Sequence, residues 1–328
     1  MFTTVLSDGF TLLLHAIGVA TLLLGGLMAR PVRRPPELKS ISDARNAVDL
    51  RTLPAAERFQ GRDGTELAYR PYAARGPETD RVAIVVHGSA GSSRSSIHVL
   101  SAALAARGVA TYAVDIRGHG ASGSRGDIGY LGQLEDDLAD LVGEIRKVHA
   151  TAPLTLIGHS SGGGFALRVA GSPIQDLFAR TVLLAPYLGH DAPSSRRNSG
   201  GWASPDVPRF IALSLLRRLR LPFAEALPVI AFAVPPNSSA WLTPTYSYRL
   251  LRNFGVSQNY RRDVAAAKTP VTIFAGAADE LINSDKLRQA VGERPAIRIL
   301  DGVSHIGIVS DPRAVSVIAD DVATGASS

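Results

Sequence analysis

The chain of 328 residues carries 35 Lys and Arg against 29 Asp and Glu, a net charge of +6, with 45% hydrophobic and 20% charged residues. That composition excludes a wholly disordered chain and a polytopic membrane protein, and the length fits one large α/β domain with an insertion. With no cysteine, disulfides, Cys-based zinc sites and a Cys nucleophile are excluded, while either redox compartment fits.

The basic excess gathers in short clusters, Arg30 to Arg51, Arg196 to Arg197 and Arg209 to Arg220. Aromatic residues are sparse and there is no reading helix, so these clusters suit anionic lipid or a solvated surface and not nucleic acid. Phe10 to Ala29 runs about 20 residues without a formal charge, the thickness of a bilayer core. Only Asp8 precedes it, without the Lys or Arg of a signal peptide, so residues 1–30 read as a retained single-pass anchor. Arg30, Arg33, Arg34 and Lys39 follow directly, and the positive-inside rule then places the bulk of the chain in the cytoplasm. Pro31, Pro35 and Pro36 end the helix and open a polar linker over residues 31–56.

Arg58 to Tyr72 alternates around Asp63-Gly64, which predicts two antiparallel strands. Strand and helix then alternate. Val82–Val86, Val109–Val114, Leu154–Ile157, Thr181–Leu184, Val271–Ala275 and Ile297–Leu300 are aliphatic runs of the kind buried on both faces of a parallel sheet. Leu131, Leu134, Leu138, Leu141, Ile145 and Val148 recur at helical spacing, and Ile97–Leu104, Leu287–Val291 and Val315–Val322 supply further crossover helices. A doubly wound α/β core over 57–189 and 265–323 follows. Residues 190–264 break the pattern and carry no strand signal. They read as an inserted helical cap, in which Phe210–Leu221 and Leu227–Val234 cover an apolar pocket or rest on a bilayer.

Gly158-His159-Ser160-Ser161-Gly162 satisfies G-x-S-x-G, a weak signal alone. Its context is stronger, because a strand ends at Gly158 and a helix starts just behind. A turn that sharp needs glycine at Gly158 and Gly162 and exposes the Ser160 hydroxyl at the sheet's carboxyl edge. A hydroxyl needs a base within hydrogen-bond reach to become a nucleophile. Position after the last strand selects His305 among eight histidines; His159 reads as a packing residue, His87 as part of a shaping loop, His119 as a loop residue, and His98, His149 and His190 lack supporting context. The carboxylate that fixes the base is Asp279, following the strand Val271–Ala275, with Asp191 the credible alternative and Asp285 and Asp301 surface or turn residues. Backbone N–H groups of Ser161 and of Ser89, in His87-Gly88-Ser89-Ala90-Gly91, are positioned to receive an oxyanion. This chemistry calls for no cofactor and no metal.

His87-Gly88, Asp115-Ile116-Arg117-Gly118-His119-Gly120-Ala121-Ser122-Gly123 with Arg125-Gly126, and Gly158-His159-Ser160-Ser161-Gly162-Gly163, followed by Asp279 and His305, are the marks of a known group. Over Arg58 to Ala323 the chain resembles the monoacylglycerol lipase and lysophospholipase branch of the α/β-hydrolases, grouped with serine-aminopeptidase-like hydrolases. The resemblance implies a mostly parallel eight-stranded sheet, a Ser-Asp-His hydrolase and a cap that lines an acyl pocket. Ser161 stands where Met is usual, and the cap is long and rich in proline. The expected activity is hydrolysis of a carboxylic ester, lipid-like, through an acyl-enzyme on Ser160. Acyl transfer by the same residues, peptide or amide hydrolysis, and a membrane-anchored binding protein without turnover are the alternatives.

Overall fold

Glu57–Gln60 (β1) and Glu66–Tyr72 (β2) pair antiparallel across the turn at Asp63-Gly64, where Gly64 has φ 77°. This hairpin forms one edge of an eight-stranded sheet in the computed structural model. The structure describes residues 24–75, 80–235 and 241–325, with single positions at 11, 14, 15, 18, 19 and 22. The six aliphatic runs become Arg81–Val86 (β3), Val109–Asp115 (β4), Leu154–His159 (β5), Arg180–Leu184 (β6), Val271–Gly276 (β10) and Ala296–Leu300 (β11), all parallel. The sheet order is β1-β2-β4-β3-β5-β6-β10-β11, and only β1 and β2 run antiparallel to their neighbours.

β5 and β6 are buried along their whole length. Helices lie on both faces, so neither face of these strands meets water and a continuous aliphatic run is the stable choice. Ile97–Ala106 packs with Pro312–Thr324, and Ser161–Ala170 packs with Tyr260–Ala266. β3 lies between β4 and β5, so the chain leaves β3 first to one side and then to the other. At such a switch point the helices diverge beyond the carboxyl ends of the strands and leave a crevice.

The insertion between β6 and β10 is not purely helical as expected. Ala203–Pro205 (β7), Pro228–Phe232 (β8) and Thr245–Ser247 (β9) form a separate antiparallel sheet beside the helices Val207–Arg218 and Tyr248–Asn253. Two of these strands have three residues each, too few to show a period. The apolar run 227–234 contains β8, and periodicity alone does not tell a short buried strand from a short buried helix.

The expected anchor over Phe10–Ala29 is not supported. Among the described residues, no helix is long and apolar enough to cross a membrane. Residues 10, 12, 13, 16, 17, 20, 21 and 23 of that stretch lie outside the described ones. The single-pass placement falls with the anchor, and so does the cytoplasmic orientation deduced from it. The described end of the segment is used by protein instead: Leu24 and Met28 pack against Leu213, Leu216, Val229 and Tyr248 of the insertion. The Arg209 guanidinium, 1% exposed, donates to the carbonyls of Leu27 (3.0 Å), Arg30 and Pro228 (2.7 Å), while Arg30 pairs with Asp206. Hydropathy measures apolarity without telling whether lipid or protein receives it.

The stretch 31–56 is also more than a linker. It contains the helix Lys39–Asn46, whose Ile41 is 1% exposed and belongs to the main core. Because Arg209 holds the chain just before this helix, Arg209→Ala leaves Leu27 and Arg30 carbonyls without their donor. We expect limited proteolysis before Glu37 to speed up and stability to fall by about 2–4 kcal/mol; unchanged cleavage and an unchanged urea midpoint would refute the docking.

Candidate active site

β5 ends at His159 and the helix Ser161–Ala170 begins at once, so Ser160 carries the whole change of direction. Its φ of 55° is one that a non-glycine residue rarely adopts, at a cost of about 1–3 kcal/mol. The turn is held by the Ser160 N–H donating to Leu184 O (2.9 Å) and by Ser160 O accepting from Gly164 and Tyr187 (both 3.0 Å). A Cβ on Gly158 would strike the Gly162 carbonyl, and one on Gly162 would strike the carbonyl of His87. Both glycines are therefore required by the close approach of backbone to backbone.

Asp279 follows β10 and His305 follows β11, adjacent strands in the sheet. His305 Nδ1 donates to Asp279 Oδ2 at 2.8 Å, while Asp279 Oδ1 accepts from the N–H groups of Leu281 (2.8 Å) and Ile282 (2.9 Å). Burial by itself would raise the Asp279 pKa. The charge and hydrogen bond of His305, with the two N–H donors, reverse that and hold it below the usual carboxylate range. With Nδ1 engaged, Nε2 is the ring nitrogen left without a partner among the described residues, and His305 borders the cavity that Ser160 also borders. No hydrogen bond joins Ser160 to His305 among the described residues, a spacing common before substrate arrives.

The loop after β3 brings Gly88 and Ser89 to the same cavity. The Ser89 N–H donates to no acceptor among the described residues. The Ser161 N–H, in the first helical turn, has no carbonyl behind it within the helix. Two N–H groups are thus available beside Ser160. The other histidines and carboxylates weighed in the sequence lie elsewhere: Asp191, Asp285, Asp301 and His190 are exposed, His98 pairs with Tyr72, and His149 pairs with Tyr112.

Several supporting groups escaped sequence reasoning. Glu280 accepts from the His305 N–H (3.0 Å), and His159 Nε2 donates to His305 O (3.0 Å), so His305 is held through its own backbone. Arg196 of the insertion donates to Asp279 O (3.0 Å). Trp202 Nε1 donates to Ser89 Oγ (2.8 Å), and the Tyr246 hydroxyl accepts from Ala90 N–H (2.7 Å) and donates to His119 Nε2 (2.6 Å). Adjacency to Asp279 was a signal for Glu280. Trp202, Tyr246 and Arg196 lie in an insertion with no readable pattern and gave none.

Desolvation keeps three of these histidines neutral: it pushes His159 down to about 3, and lowers His87 and His119 as well. The unfolded chain binds protons at these sites near pH 6.5 and the folded one does not. Stability is therefore fully present above about pH 6.5 and falls as pH drops below it, by up to about 1.4 kcal/mol per unit toward pH 3 for His159, with further losses from His87 and His119 and from Asp279 below its unfolded pKa. Urea midpoints equal at about pH 7 and pH 5 would contradict this. Tyr246→Phe leaves the Ala90 N–H and the His119 ring nitrogen unpaired and is expected to cost about 1–3 kcal/mol in the same assay.

Residues 77–308 match the family described as serine aminopeptidase, S33. A monoacylglycerol lipase of Mycolicibacterium smegmatis is 27% identical over 278 residues, covering 80% of this chain and 94% of that protein. In fold, the chain is similar to a soluble variant of monoglyceride lipase from Saccharomyces cerevisiae, with a TM-score of 0.63, 17% identity, and coverage of 85% of this chain and 97% of the other. It is similar also to a monoacylglycerol lipase of Paleococcus ferrophilus, with a TM-score of 0.59, 17% identity, and coverage of 79% and 99%. The match over residues 77–308, on an α/β-hydrolase fold, leads to one assignment: this protein is a hydrolase of the serine aminopeptidase S33 family of α/β-hydrolases, similar to monoacylglycerol lipases.

Proposed function

We propose that the protein hydrolyses a carboxylic ester of lipid-like character, of the monoacylglycerol or lysophospholipid class, with Ser160 as nucleophile, His305 as general base and acid, and Asp279 as its orienting carboxylate. The observation that carries this reading is the His305–Asp279 hydrogen bond at 2.8 Å beside a strained Ser160 that borders the same cavity. Ser160 Oγ attacks the ester carbonyl carbon while His305 Nε2 takes its proton. The carbonyl oxygen becomes an oxyanion that the Ser89 and Ser161 N–H groups receive. The bond to the alcohol oxygen breaks, His305 returns the proton to that oxygen, and an acyl-enzyme remains. Water, deprotonated by His305, attacks the acyl carbon and releases the acid and free Ser160.

The lipid-like character is supported by the relatives' names and by the insertion. Val207, Ile211 and Leu215 recur every fourth residue on the helix Val207–Arg218 and are all more than half exposed, a face suited to an amphiphilic substrate in aggregated form. The cavity beside Ser160 holds only about 10 Å³ and is bordered by Ile41 and Arg45 of the helix Lys39–Asn46 and by Trp202 and Leu281. An acyl chain needs several times that space, so admission of substrate requires these walls to part.

A fluorophosphonate probe is expected to label the protein and not Ser160→Ala; labelling of the variant at full strength would remove Ser160 as nucleophile. Asp279→Asn is expected to lower kcat by about four orders of magnitude, and a loss under about tenfold would transfer the role to another acid such as Asp191. Turnover should rise from acetyl to longer p-nitrophenyl esters, and activity confined to acetate would defeat the lipid reading. Acylated glycerol formed when glycerol is added would point to acyl transfer instead of hydrolysis.

A further inference from the structure

Beside the Ser160 cavity lies a second, of about 100 Å³, bordered by Ser42, Arg45, Asn46, Arg94 and Ser95 on its polar side and by Val48, Leu50, Pro235 and Leu242 on its apolar side. Arg45 borders both cavities, the second and the space at Ser160 and Ser89.

Each arginine lies over a tryptophan, Arg45 half-buried on a buried ring and Arg94 exposed on an exposed one. The Arg45 guanidinium lies over the ring of Trp202, 4.8 Å from its centre, and that of Arg94 lies over Trp241 at 4.5 Å. These are the only two tryptophans in the chain. A guanidinium stacked on an indole uses its face and keeps the N–H donors along its edge for another partner. Arg45 spends one of them on Ser89 O at 3.4 Å. Neither arginine forms an ion pair with a carboxylate among the described residues. The acidic residues nearest in sequence do not serve them: Asp43 is exposed, and Asp49 pairs with Arg51. Two cations therefore border one small cavity with no paired carboxylate among the described residues, each over an aromatic ring, and Arg45 also borders the cavity at Ser160.

We propose that this cavity binds an oxyanion carried by the substrate, so that the preferred substrate is an acyl ester whose alcohol half bears a phosphate or carboxylate group, and not a neutral glyceride. The assignment rests on the ester-hydrolase reading above and narrows it. The acyl carbonyl reaches Ser160 on one side of Arg45 while the anionic end of the alcohol sits between Arg45 and Arg94 on the other. The apolar wall receives the carbon skeleton between them. Bidentate bonds from a guanidinium edge to an oxyanion are short and directional, so the gain is expected in KM more than in kcat.

The test compares three esters of one acyl chain on the full-length protein: monooctanoylglycerol, its phosphate monoester and octanoyl glycerate. The phosphate or the carboxylate ester should exceed the neutral one in kcat/KM by at least about tenfold, mainly through KM, the two arms telling which oxyanion the cavity takes. Arg94→Gln should reduce the anionic-to-neutral ratio about tenfold and Arg94→Lys should recover part of it. Arg45→Gln should do the same, with Arg94→Gln the decisive variant because Arg45 also touches Ser89 O. Equal kcat/KM for neutral and anionic esters, or an Arg94→Gln variant that lowers both in proportion, would overturn the proposal. Hydrolysis of p-nitrophenyl butyrate by the native chain and its loss in Ser160→Ala separate the two readings. If that hydrolysis is absent the ester-hydrolase reading fails, and if it is present without anionic preference only the oxyanion cavity fails.

Discussion

The turn at Ser160 is the constraint on which the surrounding structure depends. A strand must hand over to a helix within one residue, and that forces the carbonyls of Gly162 and His87 into space a side chain would otherwise occupy. The strain is stored in a single φ of 55° and is held by hydrogen bonds to Leu184, Gly164 and Tyr187. Because β5 is central and fully buried, the turn cannot relax without disturbing β3 and β6 on either side. The same close packing brings Gly88 against Ser160, which fixes the loop after β3 relative to the hydroxyl.

Around that turn, the groups that border and support the cavity at Ser160 come from parts of the chain far apart in sequence. Asp279 and His305 arrive on neighbouring strands, and each is held by its backbone as well as its side chain, through Arg196, Glu280 and His159. The loop His87 to Gly91 is fixed from the insertion by Trp202 and Tyr246 and from the N-terminal helix by Arg45. Desolvation is used consistently here: it lowers His87, His119 and His159, and the neutral rings of His87 and His119 donate through one nitrogen and accept through the other while His159 donates to His305 O.

The N-terminal stretch shows why a local measure can mislead. Phe10–Ala29 is apolar enough to suggest lipid, yet its Leu24 and Met28 find an apolar surface on the insertion, and Arg209 satisfies carbonyls of Leu27 and Arg30 at the end of that stretch. The insertion in turn gave no strand signal because its strands are short and lie at or beside prolines, while their pairing depends on partners 14 to 29 residues away. Window-based patterns see neither the receiving surface nor the distant partner.

The sequence alone determined the parallel sheet, the crossover helices, the elbow and the order of Ser160, Asp279 and His305. Those features are written in local periodicity and in glycines that no other residue can replace at such approaches. Only the tertiary structure decided that the segment before residue 30 docks on the insertion, that the helix Lys39–Asn46 closes over the site, and that Trp202, Tyr246, Glu280 and Arg45 support it. Each of these is a contact between distant residues, made by one side chain with no repeating pattern, and such contacts are fixed by packing and not by the composition of either partner.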